Sequence, residues 1–218
     1  MYYGIPLRAA RLRRFYAQFV TPGSLCFDVG AHAGNRVRCW RQLGARVVAI
    51  EPQPDFVRLL TWLFGQDADV TIVAKAVGRT AGNAELLVSE RTPTVTSLSQ
   101  TWVDDVRRDP RFKSVSWTRG ERVEVVTLQS LVERHGEPAF IKIDIEGFEP
   151  ECLQGGRATI ARDAPAMAVC VYHLQSHIWD IPLQLDSYFG DYRFKLCPHV
   201  ADGWDLVLYA VPSNRLPS

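Results

Sequence analysis

The stretch Ser24-Leu25-Cys26-Phe27-Asp28-Val29-Gly30-Ala31-His32-Ala33-Gly34-Asn35 passes from a short apolar run directly into a turn bracketed by two glycines. A run of this length and character reads as a buried strand, and the helical pattern Arg36 to Leu43, closed by Gly44, follows the turn. The same alternation continues downstream. Arg46 to Ile50 is a second apolar strand, Glu51-Pro52-Gln53-Pro54 breaks the chain, and Asp55 to Phe64 is a helix. Val70 to Val77 is a β-branched third strand, with Ala84 to Ser89 as its expected hairpin partner. Arg91 to Gly120 is rich in Thr, Ser, Asp and Arg and reads as an insertion or lid.

Regular pattern resumes with the strand Val123 to Thr127 and the helix Leu128 to His135. Ala139 to Ile145 is apolar enough for a parallel strand covered on both faces. Pro150 to Arg162 is helical with a break at Gly155-Gly156, Ala166 to Tyr172 is the fifth core strand, and a helix surrounds Trp179 to Phe189. Arg193 to Cys197 and Asp205 to Val211 close the chain as two strands around the turn Asp202-Gly203. Upstream, Leu12, Phe15, Tyr16 and Phe19 form the apolar stripe of an N-terminal helix over Leu7 to Val20, and Thr21-Pro22-Gly23 stops it. Strands alternating with helices predict an α/β, doubly wound, mostly parallel sheet with an antiparallel closing strand.

Composition limits the function classes. A chain of 218 residues, 47% hydrophobic and 22% charged, is expected to form one globular domain, 1–218. Twenty-five Lys and Arg balance 24 Asp and Glu, so no overall field draws the chain to nucleic acid or anionic lipid. Residues 1–20 do carry four arginines and no acid, which reads as a solvated helix face. The longest apolar runs, Phe140 to Ile145 and Ala164 to Tyr172, are too short for a membrane span, and no apolar leader follows the N-terminal arginines. Cys26, Cys39, Cys152, Cys170 and Cys197 lack metal-binding spacing and are expected as free thiols in a reducing, cytoplasmic setting, with a zinc or disulfide framework as the sharper alternative. Trp40, Trp62, Trp179 and Trp204 are expected in the core, and Trp102 and Trp117 along an acceptor pocket.

In an open α/β sheet, ligands bind beyond the carboxyl ends of the strands. Here those ends carry Asp28 with Gly30, Ala31, His32, Gly34 and Asn35; then Glu51 and Pro52; then Asp144 and Glu146; then His173. The first loop is not a GxGxxG dinucleotide fingerprint, because His32 and Asn35 stand where glycines would be needed. Asp28 beside the loop repels a pyrophosphate and favours a cationic ligand, while Glu51 at the end of strand two can accept hydrogen bonds from two ribose hydroxyls. A nucleoside with a cationic, phosphate-free tail fits both, and S-adenosylmethionine is such a molecule, its amino-acid end meeting Asp28 and the loop N–H groups. Asn35 is either a ligand contact or the cap of the next helix.

The segment Phe140-Ile141-Lys142-Ile143-Asp144-Ile145-Glu146-Gly147-Phe148-Glu149 resembles the IKIDxEGxE signature of the FkbM family of S-adenosylmethionine-dependent methyltransferases. Val29 to His32, Ala49 to Pro52, Ala76-Val77-Gly78, Thr127-Leu128 and Cys152 to Gly156 extend the likeness over roughly residues 24–160. Val171-Tyr172-His173, Ile178 to Pro182 and Trp204 to Tyr209 resemble longer members. The resemblance implies a class I methyltransferase (Rossmann-like) fold with seven strands. It also implies a cofactor site that includes Ala76, Val77 and Asp144, and O-methylation of a small or glycosidic hydroxyl acceptor. One position departs from the family: Leu128-Gln129-Ser130-Leu131 stands where Leu-Asp-Ser-Leu is usual, so either a helix cap or a substrate contact is changed. His173 is the expected general base, with Asp144 and Glu146 competing for that role. A divalent metal on Asp144, Glu146 and Glu149 is an alternative chemistry, and Glu149 is otherwise read as helix-end support; no metal is assigned from sequence. Two further readings are a nicotinamide-dependent oxidoreductase, against which the missing GxGxxG stands, and a non-catalytic binding module.

Overall fold

The computed structural model describes residues 6–89, 95–113, 115–117, 119–199 and 205–215. Strands β1 (Leu25–Val29), β2 (Arg46–Ile50) and β3 (Val70–Val73) are separated by helices α2 (Asn35–Gln42) and α3 (Pro54–Phe64), after the N-terminal α1 (Pro6–Tyr16). Then come β4 (Ala76–Val77), β5 (Gly82–Val88), α4 (Gln100–Arg108), β6 (Arg119–Val126), α5 (Leu128–His135) and β7 (Phe140–Ile143). The chain ends with α6 (Glu149–Gly155), α7 (Arg157–Asp163), β8 (Ala166–Cys170), α8 (His177–Tyr188), β9 (Tyr192–Pro198) and β10 (Leu206–Pro212). The main sheet has seven strands in the order β3-β2-β1-β7-β8-β10-β9, with β10 antiparallel to β8.

The period of two along each central strand assigns its residues to two cores, one on each face of the sheet. Phe27, Val29, Val48, Ile50, Ile141, Ile143, Met167 and Val169 pack with Leu128, Leu153, Ile160 and Leu185 of α5, α6, α7 and α8. Their neighbours Cys26, Val47, Ala49, Phe140 and Ala168 pack instead with Tyr16, Trp40 and Leu60. Phe19 stacks on Phe140 and Tyr209 at 5.3 and 5.5 Å, so the first segment lies over the sheet while Arg11, Arg13 and Arg14 face solvent. Its helix stops at Tyr16, short of the expected Val20.

Four local expectations are corrected. The segment Val70 to Val77 is two strands: β3 pairs with β2, and after a turn at Ala74-Lys75, β4 joins a separate three-stranded sheet β4-β6-β5. β5 therefore pairs with β6, not with the third strand, because Leu86 and Val88 bury against Val123 and Val125. The expected irregular lid contains a full helix, α4, whose signal lies in the sequence: Ser99 accepts the Trp102 N–H as N-cap, and Trp102, Val103 and Val106 share its buried face. Finally, Trp40 is buried as expected, but Trp62 and Trp179 are 80% and 51% exposed, being on the outer faces of α3 and α8. Trp204 and the turn Asp202-Gly203 fall outside the described residues.

Candidate active site

The carboxyl ends of β1, β2 and β7 open onto a cleft of about 1130 Å³. Asp28, Gly30, Ala31, His32, Asn35, Glu51, Pro52, Ala76, Val77, Asp144 and Glu146 all line it, so the structure brings these expected site residues together. Gly34 is buried beneath them against Phe64 and Leu60. His173 is placed differently: it is buried one layer behind Glu146 and does not line the cleft.

Backbone geometry holds the cleft's two ends together. Gly30 has φ 82°, and a Cβ there would come 1.9 Å from the Asp144 carbonyl oxygen, so only glycine allows the first loop to lie against the end of β7. The Gly30 and Ala31 N–H groups both donate to Ile50 O (2.9 and 3.0 Å), that of His32 to Glu51 Oε2 (2.9 Å) and that of Gly34 to Ala31 O (2.8 Å). These four donors have partners within the protein, three of them at the end of β2 and one inside the loop. Asn35 is not a cap either. Gly34 occupies that position, and Asn35 is the first helical residue, turned toward the cleft.

Glu51 is held by two backbone donors, His32 N–H on Oε2 and Gln53 N–H on Oε1 (2.8 Å). Each oxygen keeps a second lone pair. Burial pushes its carboxyl up to about 7, against the lowering effect of those N–H groups. Asp28 is 1% exposed, neither of its oxygens has a hydrogen bond, and burial raises its carboxyl to about 6. His32, its ring tilted 42° against that of Phe56 with centroids 3.7 Å apart, is pushed by burial down to about 4 and is neutral near pH 7.

A residue the strand pattern hides is Lys142. Its register in β7 sets it beside Asp28 of β1, and its Nζ lies 3.9 Å from Asp28 and 2.9 Å from Asp144 Oδ2. The signal for it is a single polar residue inside Ile141-Lys142-Ile143, paired across the sheet with the single acid of Leu25 to Val29. Burial by itself disfavours the Asp144 carboxylate, but Lys142 and then His173 override it and hold that carboxyl well below the usual range. Burial also disfavours a charged His173, and Glu149 and Glu146 reverse that, raising it well above an ordinary histidine.

At the β7 end, Glu146 has φ 53° and precedes Gly147 at φ 90°. A glutamate in this left-handed region costs about 1 kcal/mol and persists only where its surroundings impose it. Here Glu149, fully buried, accepts from Ile145 N–H at 2.9 Å, and Ser97 Oγ donates to Glu146 O at 2.6 Å. Glu149 thus supports the loop, as the sequence suggests, and also faces His173 Nδ1 at 2.8 Å. Glu146 Oε2 faces His173 Nε2 at 3.1 Å, and Asp144 Oδ1 lies 3.6 Å from it. The Trp102 ring stands edge-on to His173, centroids 5.2 Å apart, and forms part of the cleft wall. Trp117 does not line the cleft; its Nε1 donates to Val95 O at 3.0 Å. Gln129 is remote as well. The α5 cap is Thr127, which accepts Ser130 N–H at 3.1 Å, while exposed Gln129 bonds Glu133, so the departure at 129 removes no cap.

The Methyltransferase FkbM domain family matches residues 28–196. Among solved structures, an FkbM methyltransferase from Methylobacillus flagellatus KT aligns with TM-score 0.65 at 20% identity, over 91% of this chain and 50% of that one. The chain spans about half the length of that protein. Aeropyrum pernix fibrillarin, solved with natively bound S-adenosyl-L-methionine, aligns at TM-score 0.53 and 13% identity, over 96% and 76% of the two chains. A methyltransferase-fold protein of Streptococcus mutans, in complex with SAH, aligns at 0.53 and 11%, over 94% and 98%. These structural likenesses speak to the fold. A search of curated proteins finds none that matches the chain.

The residues present fit S-adenosylmethionine on two counts. Asp28 has a buried carboxylate with no hydrogen-bond partner on the cleft wall, and Glu51 offers two prepositioned acceptor lone pairs at the end of β2. With most of its length matched by the family, the chain belongs to the FkbM methyltransferases, and its cofactor is S-adenosylmethionine.

Proposed function

We propose that the chain transfers a methyl group from S-adenosylmethionine to a hydroxyl oxygen of a sugar, glycan or other natural-product small molecule. The observation that carries this reading is a diol-accepting carboxylate, Glu51, and a hydrogen-bond-free buried carboxylate, Asp28, on one cleft with Asp144 and Glu146. When bound, the cofactor supplies an electrophilic methyl on a sulfonium. Glu51 and Pro52 take the ribose, Ala76 and Val77 the base, and Asp28 and Asn35 the amino-acid end, which the Gly30-to-Gly34 backbone leaves room to approach. Glu146, backed by His173, receives the acceptor's proton, and Asp144, held ionised by Lys142, orients its oxygen.

His173 acts through Glu146 in this reading, since its ring lies behind the cleft wall. The near-neutral net charge supports a small acceptor over a polyanion. Five free cysteines, four of them buried, support a reducing compartment such as the cytoplasm. Calorimetric titration with S-adenosylhomocysteine tests the cofactor half. Transfer of a labelled methyl group from S-adenosylmethionine across a panel of hydroxylated acceptors tests the other half. Saturable binding and labelled product are expected; no S-adenosylhomocysteine binding by the folded chain overturns the reading.

A further inference from the structure

We propose that Asp144, Glu146 and His173 form a site for one divalent first-row transition metal, Mn2+ or Zn2+, at the acceptor end of the cleft. One oxygen from each carboxylate and one ring nitrogen fall within 4.8 Å of one another. The His173 Nε2 separations, 3.1 Å to Glu146 and 3.6 Å to Asp144, are those of ligands sharing an ion. Ligands about 2.1 Å from a common centre lie about 3.0 Å apart at right angles and about 3.4 Å apart in a tetrahedron. Both Nε2 separations lie within a few tenths of an ångström of those values.

Acidic residues near one another do not by themselves bind metal, and His173 supplies the independent observation. Its side chain is 0% exposed, neither ring nitrogen makes a hydrogen bond of good geometry, and Nε2 lies within 3.6 Å of an oxygen of each carboxylate. An imidazole buried this way needs a partner at that nitrogen, and the ion would replace the Nε2 proton that faces Glu146 in its absence. On its other side Nδ1 is faced at 2.8 Å by Glu149, itself fixed by the Ile145 N–H. A carboxylate behind an imidazole is how proteins fix the tautomer and orientation of a metal-ligating histidine. Lys142 occupies Asp144 Oδ2, and Oδ1, with the Tyr172 hydroxyl 3.4 Å away, faces His173.

Two carboxylate oxygens and one imidazole suit Mn2+ or Zn2+ better than Ca2+ or Mg2+, which favour oxygen alone. Three protein ligands leave at least one coordination position open. Asp144 and Glu146 line the cleft and His173 lies behind, so the open position faces the space an acceptor hydroxyl must enter. That last step rests on the methyl-transfer reading; the ion site itself does not.

The test uses the full chain, stripped with a chelator, titrated with Mn2+ and followed by the paramagnetic resonance of the free ion. One Mn2+ per chain is expected, displaced by Zn2+ as the usual affinity order requires. Glu146→Gln and Asp144→Asn should weaken uptake at least roughly tenfold, and Glu149→Gln, which touches no ion, roughly 10–100-fold. Circular dichroism checks that each variant is folded; should His173→Ala not fold, the carboxylate variants keep the test decisive. No Mn2+ retained at millimolar concentration, or undiminished uptake in all the folded variants, overturns the site. A parallel S-adenosylhomocysteine titration separates the two readings. Binding of that nucleoside without Mn2+ uptake removes only the metal site, whereas Mn2+ uptake without nucleoside binding leaves the metal site standing and removes the methyl-transfer reading.

Discussion

Truncating Glu51 should separate cofactor binding from folding, because the two respond to that carboxyl in opposite directions. In Glu51→Ala both acceptors for the ribose hydroxyls disappear. A hydrogen bond to a charged group contributes about 1.5–3 kcal/mol, so two amount to about 3–6 kcal/mol, and at tenfold per about 1.4 kcal/mol the affinity for S-adenosylhomocysteine should fall roughly 10²- to 10⁴-fold. The carboxyl stands at about 7 in the free protein, and binding requires the ionised form. Wild-type affinity should therefore drop about tenfold between pH 8 and pH 6, a slope that Glu51→Gln abolishes.

Stability of the free protein moves the other way. A carboxyl raised from 4.5 to about 7 on folding contributes stability that is fully present below pH 4.5 and lost as pH rises through 7, about 3 kcal/mol in all. Acidification from pH 8 to pH 6 thus strengthens the free fold while weakening the complex. Calorimetric titration and thermal melts at both pH values, on wild type, Glu51→Ala and Glu51→Gln, measure the two effects. Affinity for Glu51→Ala within threefold of wild type, or an unchanged pH slope in Glu51→Gln, would falsify the ribose assignment.

Two further outcomes follow from the backbone. Gly30→Ala forces a side chain into a left-handed residue and against the Asp144 carbonyl, so a loss of about 2–5 kcal/mol is expected, seen as a melting temperature about 5–15 °C lower; melting within 2 °C of wild type would show the loop to be more pliable than its contacts imply. Gln129→Asp restores the usual family residue on the exposed first turn of α5, where a carboxylate adds about 0.3–1 kcal/mol through the helix dipole. S-adenosylhomocysteine affinity should stay within twofold; a larger change would tie position 129 to the site after all.

The parallel core was legible because β1, β2, β7 and β8 are covered on both faces, and a strand so placed is mostly apolar along its length. The carboxylates that line the candidate site were legible for a related reason: Asp28, Glu51 and Asp144 are the acids that interrupt or terminate those apolar runs. What period and composition concealed is partnership. Lys142 looks like an outlier in its own strand and becomes intelligible only when the β1–β7 register sets it against Asp28. His173 sits at a strand end, as a base would, yet only the fold shows Glu146 and Glu149 enclosing it. The second sheet was misread because β5 and β6 pair across thirty residues of intervening chain, 89–118, a range at which local pattern is silent. Helix α4 was missed for a different reason: one polar-rich face outweighed Trp102, Val103 and Val106 in the composition of the segment.

The hydrogen bond from Ser97 to the Glu146 carbonyl carries a consequence for how such an enzyme can diversify. The ends of the seven-stranded sheet carry Asp28, Glu51 and Asp144, whereas α4 and the segment leading into it from β5 contribute Trp102, Val95 and Ser97 to the cleft lining, and Ser97 braces the strained Glu146. On the proposed reading, one segment would thus both line the acceptor's space and support Glu146. A graft of residues 95–113 from a relative would carry its own brace for Glu146, and could change what is methylated without asking the cofactor-binding half to adapt.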